Sequence, residues 1–317
     1  MNSLPEPRSI ASRAGLLASV ALVAGCATTG ARVGAASPVP TLGAPTMVAT
    51  SLGRLAVWDS GEQGAGPPVV LWPSIFTDHA IYASLVSHWQ GKRRLVLIDG
   101  PGHGASEGPR DVPFTMQACA VAMKQVLDSK AISAAVVGGT SWGGLVAGEF
   151  AIAYPAAALG VVMLNTPFFV QPGGPAVSER LITWASGALL PTGLFTSGVA
   201  RSFFLPETRE AGGPLMAHFH DSLHRSDAKA LSTSVRSVLL ERAALAERLP
   251  QIQVPVLVIA GRHDSMYPLN GQQAAVGKLA RGRLEVVDSR HISIVDKPAE
   301  TARLLDSYLD SLPPTRK

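Results

Sequence analysis

Short runs rich in β-branched residues alternate with helical patterns along most of this chain. The runs are PPVVLWP (67–73), RRLVLID (93–99), AAVVGGT (134–140), ALGVVMLN (158–165), VPVLVIAG (254–261) and GRLEVVD (282–288). They are apolar without alternation, as expected for strands covered on both faces. Strands that alternate with helices predict an α/β fold with a mostly parallel central sheet, helices on both faces and right-handed crossovers.

Two further segments complete the predicted core. TMVATSLGRLAVWDSG (46–61) predicts two short strands with a turn at Gly53. FTMQACAVAMKQVLDSK (114–130) has the apolar spacing of an amphipathic helix with Thr115 as its cap. Cys119 falls inside this helix, and we interpret it as a small buried hydrophobic residue.

A long interval without any strand pattern separates the fourth of these runs from the fifth. It contains helical pieces such as SERLITWASGALL (178–190) and DAKALSTSVRSVLLERAALAERL (227–249). We therefore predict a core made of residues 46–165 and 251–311, with a helical cap at 166–250. The apolar residues of the cap either line a pocket or pack against the sheet.

The N-terminus has the pattern of a targeting segment. Arg8 and Arg13 precede an apolar run at 14–25 that is too short for a membrane span. The following VAGC resembles the lipobox of bacterial lipoprotein signal peptides, which implies cleavage before Cys26 and lipid attachment to its thiol. An ordinary secretory signal or a misassigned start are the alternatives.

These patterns predict a signal peptide at 1–25 and a flexible tether at 26–45, which is rich in Ala, Gly, Thr and Pro. We expect a protein of the cell envelope that is anchored to a membrane by lipid on Cys26. Ala27, in place of an aspartate, resembles lipoproteins sent to the outer membrane, on its periplasmic side.

Composition excludes several classes of partner. The formal charge of +4 comes from scattered residues, which gives no support to nucleic-acid binding. Two cysteines cannot form a disulfide framework, and no zinc-like spacing occurs. HFHDSLH contains His218, His220 and His224, and we interpret these as a solvated helix face rather than a metal site. The oligomeric state is not predicted.

Gly139-Thr140-Ser141-Trp142-Gly143 matches the G-x-S-x-G motif and lies between a predicted strand and a predicted helix. In such a turn, residues two before and two after the serine lie so close that only glycine fits. The serine hydroxyl then projects at the carboxyl edge of the sheet, beside free N–H groups of the helix. The motif alone also fits a glycine-rich turn without chemistry.

A serine hydroxyl needs a base and an orienting acid to become a nucleophile. Asp264 follows the predicted strand at 254–261, and His291 follows the last strand, so both reach the same sheet edge as Ser141. Asp288 and Asn165 are weaker candidates for the acid position.

With this order of Ser, Asp and His, residues 46–311 resemble the α/β-hydrolase family. The segment IDGPGHGAS (98–106) is similar to one that often follows the fourth strand there, and we interpret its Asp99, His103 and Ser106 as turn and packing residues. The resemblance implies a serine hydrolase that needs no cofactor or metal and acts on a small molecule. One departure concerns the oxyanion hole.

Trp72-Pro73 stands where that family usually has His-Gly. Proline has no N–H, so Pro73 cannot donate to an oxyanion. We predict Ser74 N–H as one donor, with Ile75 as the fallback, and Trp142 N–H as the other.

The sequence thus predicts hydrolysis of an ester-like bond in a small, hydrophobic substrate through an acyl-enzyme on Ser141. C–C bond hydrolysis, lactone opening and cofactor-free perhydrolysis use the same residues and stay open. A non-catalytic surface binding protein on the same fold is the alternative from another class.

Overall fold

The structure is a computed structural model that describes residues 39–61, 64, 66–109, 112–170, 184–185, 188 and 193–313. The predicted signal peptide, Cys26 and most of the predicted tether lie outside the described residues. In the described part of the chain, no helix has both the length and the apolar character needed to span a membrane.

Eight strands form one sheet in the order β1-β2-β4-β3-β5-β6-β7-β8. They are β1 (Thr46–Thr50), β2 (Gly53–Asp59), β3 (Val69–Trp72), β4 (Leu95–Ile98), β5 (Ala135–Thr140), β6 (Ala158–Leu164), β7 (Val256–Gly261) and β8 (Gly282–Val287). The strands from β4 to β8 are parallel, and β1 and β2 add an antiparallel edge. The predicted α/β fold with a mostly parallel sheet is therefore confirmed.

Every predicted strand is present, although most are shorter than the apolar runs. β3 is only four residues long and lies between Pro68 and Pro73. Prolines lack the N–H that a ladder needs, so they bound this strand on both sides. All residues of β3, β4 and β5 are buried, which means that both faces of the sheet centre are covered.

Ten α-helices lie in the described residues. They are α1 (Ala83–Trp89), α2 (Met116–Ser129), α3 (Trp142–Ala153), α4 (Leu194–Phe203), α5 (Pro206–Ala211), α6 (Gly213–His224), α7 (Ala228–Val235), α8 (Leu269–Val276), α9 (Ser293–Asp296) and α10 (Pro298–Asp310). Helix α2 is the helix predicted at 114–130, and the Thr115 side chain accepts a hydrogen bond from Ala118 N–H at its start.

Two pairs of helices that cover the sheet pack against each other, α2 with α3 and α1 with α10, and α8 packs on β7 and β8. Between β6 and β7 the described residues form helices α4 to α7, where the sequence predicts the cap. Helix α6 packs on α4 and on a short 3₁₀ turn at His79–Tyr82, which belongs to the core. The proposed domain boundaries stay a prediction.

Candidate active site

Ser141 occupies a sharp turn between β5 and α3. Its backbone has φ 54° and ψ −108°, in a region that residues other than glycine rarely adopt. Such a conformation costs about 1–3 kcal/mol, and it persists only where the surroundings enforce it. Ser141 N–H donates to Leu164 O at 2.7 Å, and Ser141 O accepts from Gly144 N–H at 3.0 Å. The turn is thus held by the neighbouring strand and by its own helix.

Two glycines allow this turn to sit against β3. A Cβ atom at Gly139 or at Gly143 would overlap the backbone carbonyl oxygen of Trp72. Helix α3 begins directly after Ser141, whose side chain makes no capping hydrogen bond. The serine hydroxyl therefore does not cap the helix. The first N–H groups of α3, which have no acceptor within the helix, lie beside it.

Asp264 and His291 lie in the loops after β7 and β8 and form a direct hydrogen bond. His291 Nδ1 is 2.8 Å from Asp264 Oδ2, and both side chains are 1% exposed. The other carboxylate oxygen, Oδ1, accepts the backbone N–H groups of Met266 at 3.0 Å and Tyr267 at 3.1 Å. The carboxylate is fixed on both oxygens, so it can hold one tautomer and one orientation of the imidazole.

Asn165, which the sequence marked as a weaker candidate for the acid, contacts the stronger one. Its side-chain N–H group donates to Asp264 Oδ2 at 3.2 Å and to Arg290 O at 3.1 Å. Asn165 follows β6, is buried and has φ 49°. It therefore braces both the carboxylate and the residue before His291.

Ser141 lies on the same edge of the sheet as this pair, after β5. Within the described residues no hydrogen bond joins its hydroxyl to the His291 ring. Hydrogen bonds of this kind are often long without substrate and tighten in the complex. Asp288 lies elsewhere: it is exposed on the surface and pairs with His263 at 2.8 Å.

The loop after β3 turns sharply behind Pro73. Ser74 O accepts Thr77 N–H at 3.2 Å and the Thr77 hydroxyl at 2.9 Å. Phe76 has φ 66°. Ser74 is fully buried, and its hydroxyl has no partner in the described part of the chain. The loop carrying the predicted donor is thus ordered by its own turn.

The loop that carries His291 is tied to the cap. Ile292 N–H donates to Phe203 O at 3.1 Å, at the end of α4. Asp296 accepts Arg290 N–H at 2.8 Å on one oxygen, and on the other it accepts Leu205 N–H at 3.0 Å and the Thr208 hydroxyl. Burial raises the pKa of the Asp296 carboxyl. One carboxylate thus joins the histidine loop to two cap segments.

Aromatic rings surround the histidine. Phe203 and Tyr267 have ring centroids 5.0 Å and 5.3 Å from that of His291. Phe76 packs against Phe195 and Phe203 at 5.1 Å and 6.2 Å. These rings give the neighbourhood of His291 an apolar character.

A second polar cluster lies between the core and α6. Side-chain atoms of Asp78, His79 and Asp99 that are of a type able to bind a metal lie within 4.8 Å of one another. Asp99 accepts His79 N–H at 2.7 Å and Ala105 N–H at 2.9 Å. These donors already satisfy the carboxylate, so we interpret the cluster as a hydrogen-bond network of the fold.

The sequence predicted a solvated helix face for the histidines of α6, but His218 bonds to a residue of the core. Its Nε2 atom lies 2.8 Å from Asp78 Oδ2, and Ser222 Oγ donates to the same oxygen. Burial opposes ionisation of Asp78, but the hydrogen bond and charge of His218 outweigh it and lower the pKa to about 2. His218 therefore connects the cap to a buried core carboxylate.

The sequence matches the family described as alpha/beta hydrolase fold over residues 67–298. This match spans most of the chain, and the sheet order and the turn at Ser141 agree with it. The chain therefore belongs to the α/β hydrolase fold family, and the prediction that it is an enzyme of this class is confirmed.

Relatives in this family carry different names. A 3-oxoadipate enol-lactonase 2 from Acinetobacter baylyi is 25% identical over 236 residues, which cover 74% of this chain and 86% of the relative. A pimeloyl-[acyl-carrier protein] methyl ester esterase from Xanthomonas campestris pv. campestris is 27% identical over 258 residues, covering 79% and 98%. Both names describe proteins that act on ester bonds.

Solved structures show the same fold. The enol-lactonase from Burkholderia xenovorans LB400 superposes with a TM-score of 0.76 at 24% identity, covering 84% of this chain and all of that one. An esterase from Exiguobacterium antarcticum has a TM-score of 0.73 at 21% identity, again covering 84% of this chain and 100% of its own.

Sequence patterns missed Asp296 altogether, and they marked Asn165 only as a weaker candidate for the acid and not as a residue that holds Asp264. Asn165 stands at the end of a predicted strand, and this position was the one signal that it faces the carboxyl edge of the sheet. Asp296 falls in a helical stretch where an acidic residue is ordinary. Their contacts cross 99 and 91 positions of sequence, to Asp264 and Leu205, and no local pattern marks such pairs.

Proposed function

We propose that this protein is a serine hydrolase that cleaves an ester-like bond of a small apolar substrate. The observation that carries the proposal is the buried Asp264–His291 pair, with Nδ1 and Oδ2 2.8 Å apart, on the sheet edge that also holds Ser141. A carboxylate on Nδ1 leaves Nε2 to act as the base. A carboxylate is costly to bury unless hydrogen bonds satisfy it, and Asp264 also accepts the backbone N–H groups of Met266 and Tyr267.

In the proposed reaction Ser141 Oγ attacks the carbonyl carbon while His291 Nε2 accepts the serine proton. The tetrahedral intermediate then expels the alcohol, which takes that proton from His291. Water attacks the acyl-enzyme with His291 again as base, and the acid product leaves with Ser141 restored. Asp264 stabilises the imidazolium in both steps, and Asn165 holds Asp264.

The proposed oxyanion donors are Trp142 N–H, at the start of α3, and Ser74 N–H, with Ile75 N–H as the fallback. Thr77 holds the carbonyl of Ser74 through two hydrogen bonds, and this supports a loop in which the Ser74 and Ile75 amides have a fixed orientation. Because the donor is backbone, Ser74→Ala should keep most of the activity. In a phosphonate adduct of Ser141, we expect the phosphoryl oxygen about 2.7–3.1 Å from both nitrogens.

The decisive experiment compares Ser141→Ala with wild type on p-nitrophenyl esters of increasing acyl length. Ser129→Ala, at the exposed end of α2, is the matched control. We expect Ser141→Ala to lose several orders of magnitude in kcat and all labelling by a fluorophosphonate, with folding unchanged. Labelling that survives in Ser141→Ala, or a wild type that is never labelled, would favour the non-catalytic binding protein instead.

Lactone opening is the second candidate, and the enol-lactonase relatives favour it. A lactone is a cyclic ester, so the same acyl-enzyme forms, but the leaving alcohol stays attached to the acyl group. We would compare kcat/KM for lactones and linear esters with equal numbers of carbon atoms. A panel that also holds diketones, and an assay with hydrogen peroxide, tests C–C hydrolysis and perhydrolysis.

For location we propose a lipid anchor at Cys26, on the basis of VAGC after a short apolar run. Two or more acyl chains anchor a protein stably, whereas one does not. Cys26→Ser should release the protein from membranes or leave its precursor uncut. Mass spectrometry of the mature protein should find a lipidated Cys26 at the N-terminus, and an intact, unmodified Cys26 would contradict the anchor.

A further inference from the structure

The hydroxyl of Tyr82 lies between the ends of two neighbouring strands. It donates a hydrogen bond to the backbone carbonyl of Trp72 at 2.8 Å, at the end of β3. It accepts one from the backbone N–H of Thr140 at 2.9 Å, at the end of β5. The side chain is fully buried. One hydroxyl therefore fixes two backbone segments to each other.

The two segments are those from which the oxyanion donors would come. Trp72 is followed by Pro73 and Ser74, and Thr140 is followed by Ser141 and Trp142. The Trp72 carbonyl that accepts from Tyr82 also faces the space left open by Gly139 and Gly143. A displacement of this carbonyl would therefore move the loop after β3 relative to the turn at Ser141.

Pro73 makes this contact more important here than in a chain with His-Gly. A proline contributes no backbone N–H to any bond that would hold the loop in place. The bond from Tyr82 enters one residue earlier, at the last residue of β3. It is thus the side-chain bond nearest to the proline on its strand side.

The phenol has the properties that such a contact needs. Burial raises the pKa of Tyr82 far above its usual range. The hydroxyl accordingly keeps its proton at any working pH and can donate and accept at the same time.

We propose that Tyr82 is a positioning residue for the oxyanion hole, which sets the separation between the Ser74 and Trp142 amides without touching the substrate. This inference rests on the proposed function. An oxyanion forms only in the transition state, so a misplaced donor lowers kcat more than it changes KM.

Tyr308 provides a matched control within the same sheet. Its hydroxyl donates to Pro255 O at 2.8 Å and accepts from Val161 N–H at 2.9 Å. Each tyrosine hydroxyl thus contacts a carbonyl and an N–H of neighbouring strands, and Tyr308 is also buried. At Tyr308 these two backbone groups also bond to each other, since Val161 N–H donates to Pro255 O at 3.0 Å. The Tyr308 contacts lie just before β7 and at the middle of β6, three residues along β6 from Leu164, which pairs with Thr140 beside Ser141.

The experiment compares Tyr82→Phe and Tyr308→Phe with wild type in the full chain. Each variant loses one hydroxyl and its hydrogen bonds to backbone, so we expect the thermal unfolding midpoint to decrease in both. The decrease should be smaller in Tyr308→Phe, because Val161 N–H and Pro255 O stay bonded to each other. For Tyr82→Phe we expect kcat on a p-nitrophenyl ester to fall about tenfold or more, with KM within about threefold, because a donor is displaced. For Tyr308→Phe we expect kcat within about twofold of wild type, since no donor moves.

The rate of Ser141 modification by a p-nitrophenyl phosphonate is the second readout, because its phosphoryl oxygen enters the same hole. It should fall in Tyr82→Phe alone. Replacement of Tyr82 by p-aminophenylalanine, whose amine can donate to Trp72 O and accept from Thr140 N–H, should restore part of the rate.

Several outcomes would overturn the inference. Equal kcat and modification rates in Tyr82→Phe and Tyr308→Phe would do so. A loss of folding in Tyr82→Phe alone would do so as well, because either result would mean that Tyr82 stabilises the fold and does not position the donors. A wild type in which Ser141 is neither modified nor needed for turnover would overturn the proposed function together with it. Modification of Ser141 at one rate in all three proteins would leave the proposed function standing and remove Tyr82 from it.

Discussion

At the scale of residues, burial separates aspartate–histidine pairs that are otherwise alike. Asp264–His291 has an N–O distance of 2.8 Å and so does Asp288–His263. The side chains of the first pair are 1% exposed, whereas those of the second are 51% and 63% exposed. Water screens the attraction between the members of an exposed pair, so the pair contributes little stability and its geometry is not fixed. In a buried pair the attraction is stronger and the geometry is fixed.

We predict that Asp264→Asn lowers kcat for ester hydrolysis by about 10⁴-fold, because an amide favours the wrong imidazole tautomer. Asp288→Asn is the matched control, since it changes the same atoms beside another histidine and should keep kcat within about twofold. Steady-state kinetics on one p-nitrophenyl ester measures both. A larger loss in Asp288→Asn than in Asp264→Asn would show that the acid is assigned to the wrong carboxylate.

The positions of Ser141, Asp264 and His291 followed from motifs and from the ends of predicted strands, since chemistry at a parallel sheet gathers at its carboxyl edge. Asn165 could not be placed beside Asp264 in that way. Its contact depends on β6 lying between β5 and β7, and local sequence patterns do not predict the order of strands in a sheet. Tyr82 stands in a short 3₁₀ turn, where nothing in the sequence marks a hydroxyl that reaches two strands.

At the scale of elements, the junction of β5, the Ser141 turn and α3 depends on what β3 presents to it. The register pairs Trp72 with Gly139, and the Trp72 carbonyl occupies the space where a Cβ of Gly143 would stand. Backbone of one strand therefore packs directly on the turn of another. Such a contact cannot be relieved by a change of side-chain rotamer.

We predict that Gly143→Ala destabilises the fold by about 1–3 kcal/mol, as overpacking does. Its kcat should fall about 10²-fold or more, because the start of α3 must move away from the oxyanion. Gly198→Ala in α4 is the control: nothing lies within 4 Å of the added Cβ. In a helix that change should be neutral or stabilising by up to about 1 kcal/mol.

Denaturant unfolding and ester kinetics on the same preparations separate the two effects. A Gly143→Ala protein with wild-type kcat would show that the turn tolerates a side chain and that the motif glycine serves another purpose.

The β-branched runs predicted the strands well, because buried parallel strands are apolar along their whole length. The cap was harder to interpret. Its helices carry mixed polar and apolar residues, and His218 looked like part of a solvated face. Its partner, Asp78, is 140 positions away in the chain. The environment of His218 therefore depends on the contact between core and cap, which helical periodicity cannot predict.

At the scale of the whole molecule, charge links the cap to the core. His218 of α6 faces Asp78 directly, with Asp99, the His79 ring and Arg225 nearby. The hydrogen bond that His218 donates to Asp78 raises the pKa of His218 above 6.5, against the effect of its partial burial. The Asp78 pKa is lowered from 3.8 to about 2. The two shifts together set a window of pH in which the cap is held most firmly.

The sign of each shift fixes that window. A raised histidine pKa stabilises the folded state below 6.5, and this stabilisation is lost as the pH rises through the folded value. A lowered aspartate pKa stabilises it above 3.8, and this is lost as the pH falls toward about 2. The pair therefore stabilises the fold most between these two unfolded values.

We predict that His218→Gln lowers the free energy of unfolding by about 1 kcal/mol near pH 5, with the difference shrinking above pH 7, since glutamine donates without a charge. Urea unfolding from pH 4.5 to 8.5 measures it. His224→Gln, exposed on the same helix, is the control and should keep the free energy of unfolding within about 0.5 kcal/mol of wild type. A constant difference between His218→Gln and wild type would mean that charge has no part in the contact.

The hydrogen bonds that join Phe203, Leu205 and Thr208 to Ile292 and Asp296 bear on how such proteins can be recombined. A cap taken from a relative and grafted at the ends of β6 and β7 would bring its own version of Phe203 and Thr208, but not the Ile292 and Asp296 that bond to this region. A working chimera must therefore exchange residues 289–296 together with the cap. The unit that must be exchanged therefore consists of two segments that are separate in the sequence. A chimera that exchanges only the first segment would displace His291, the proposed base.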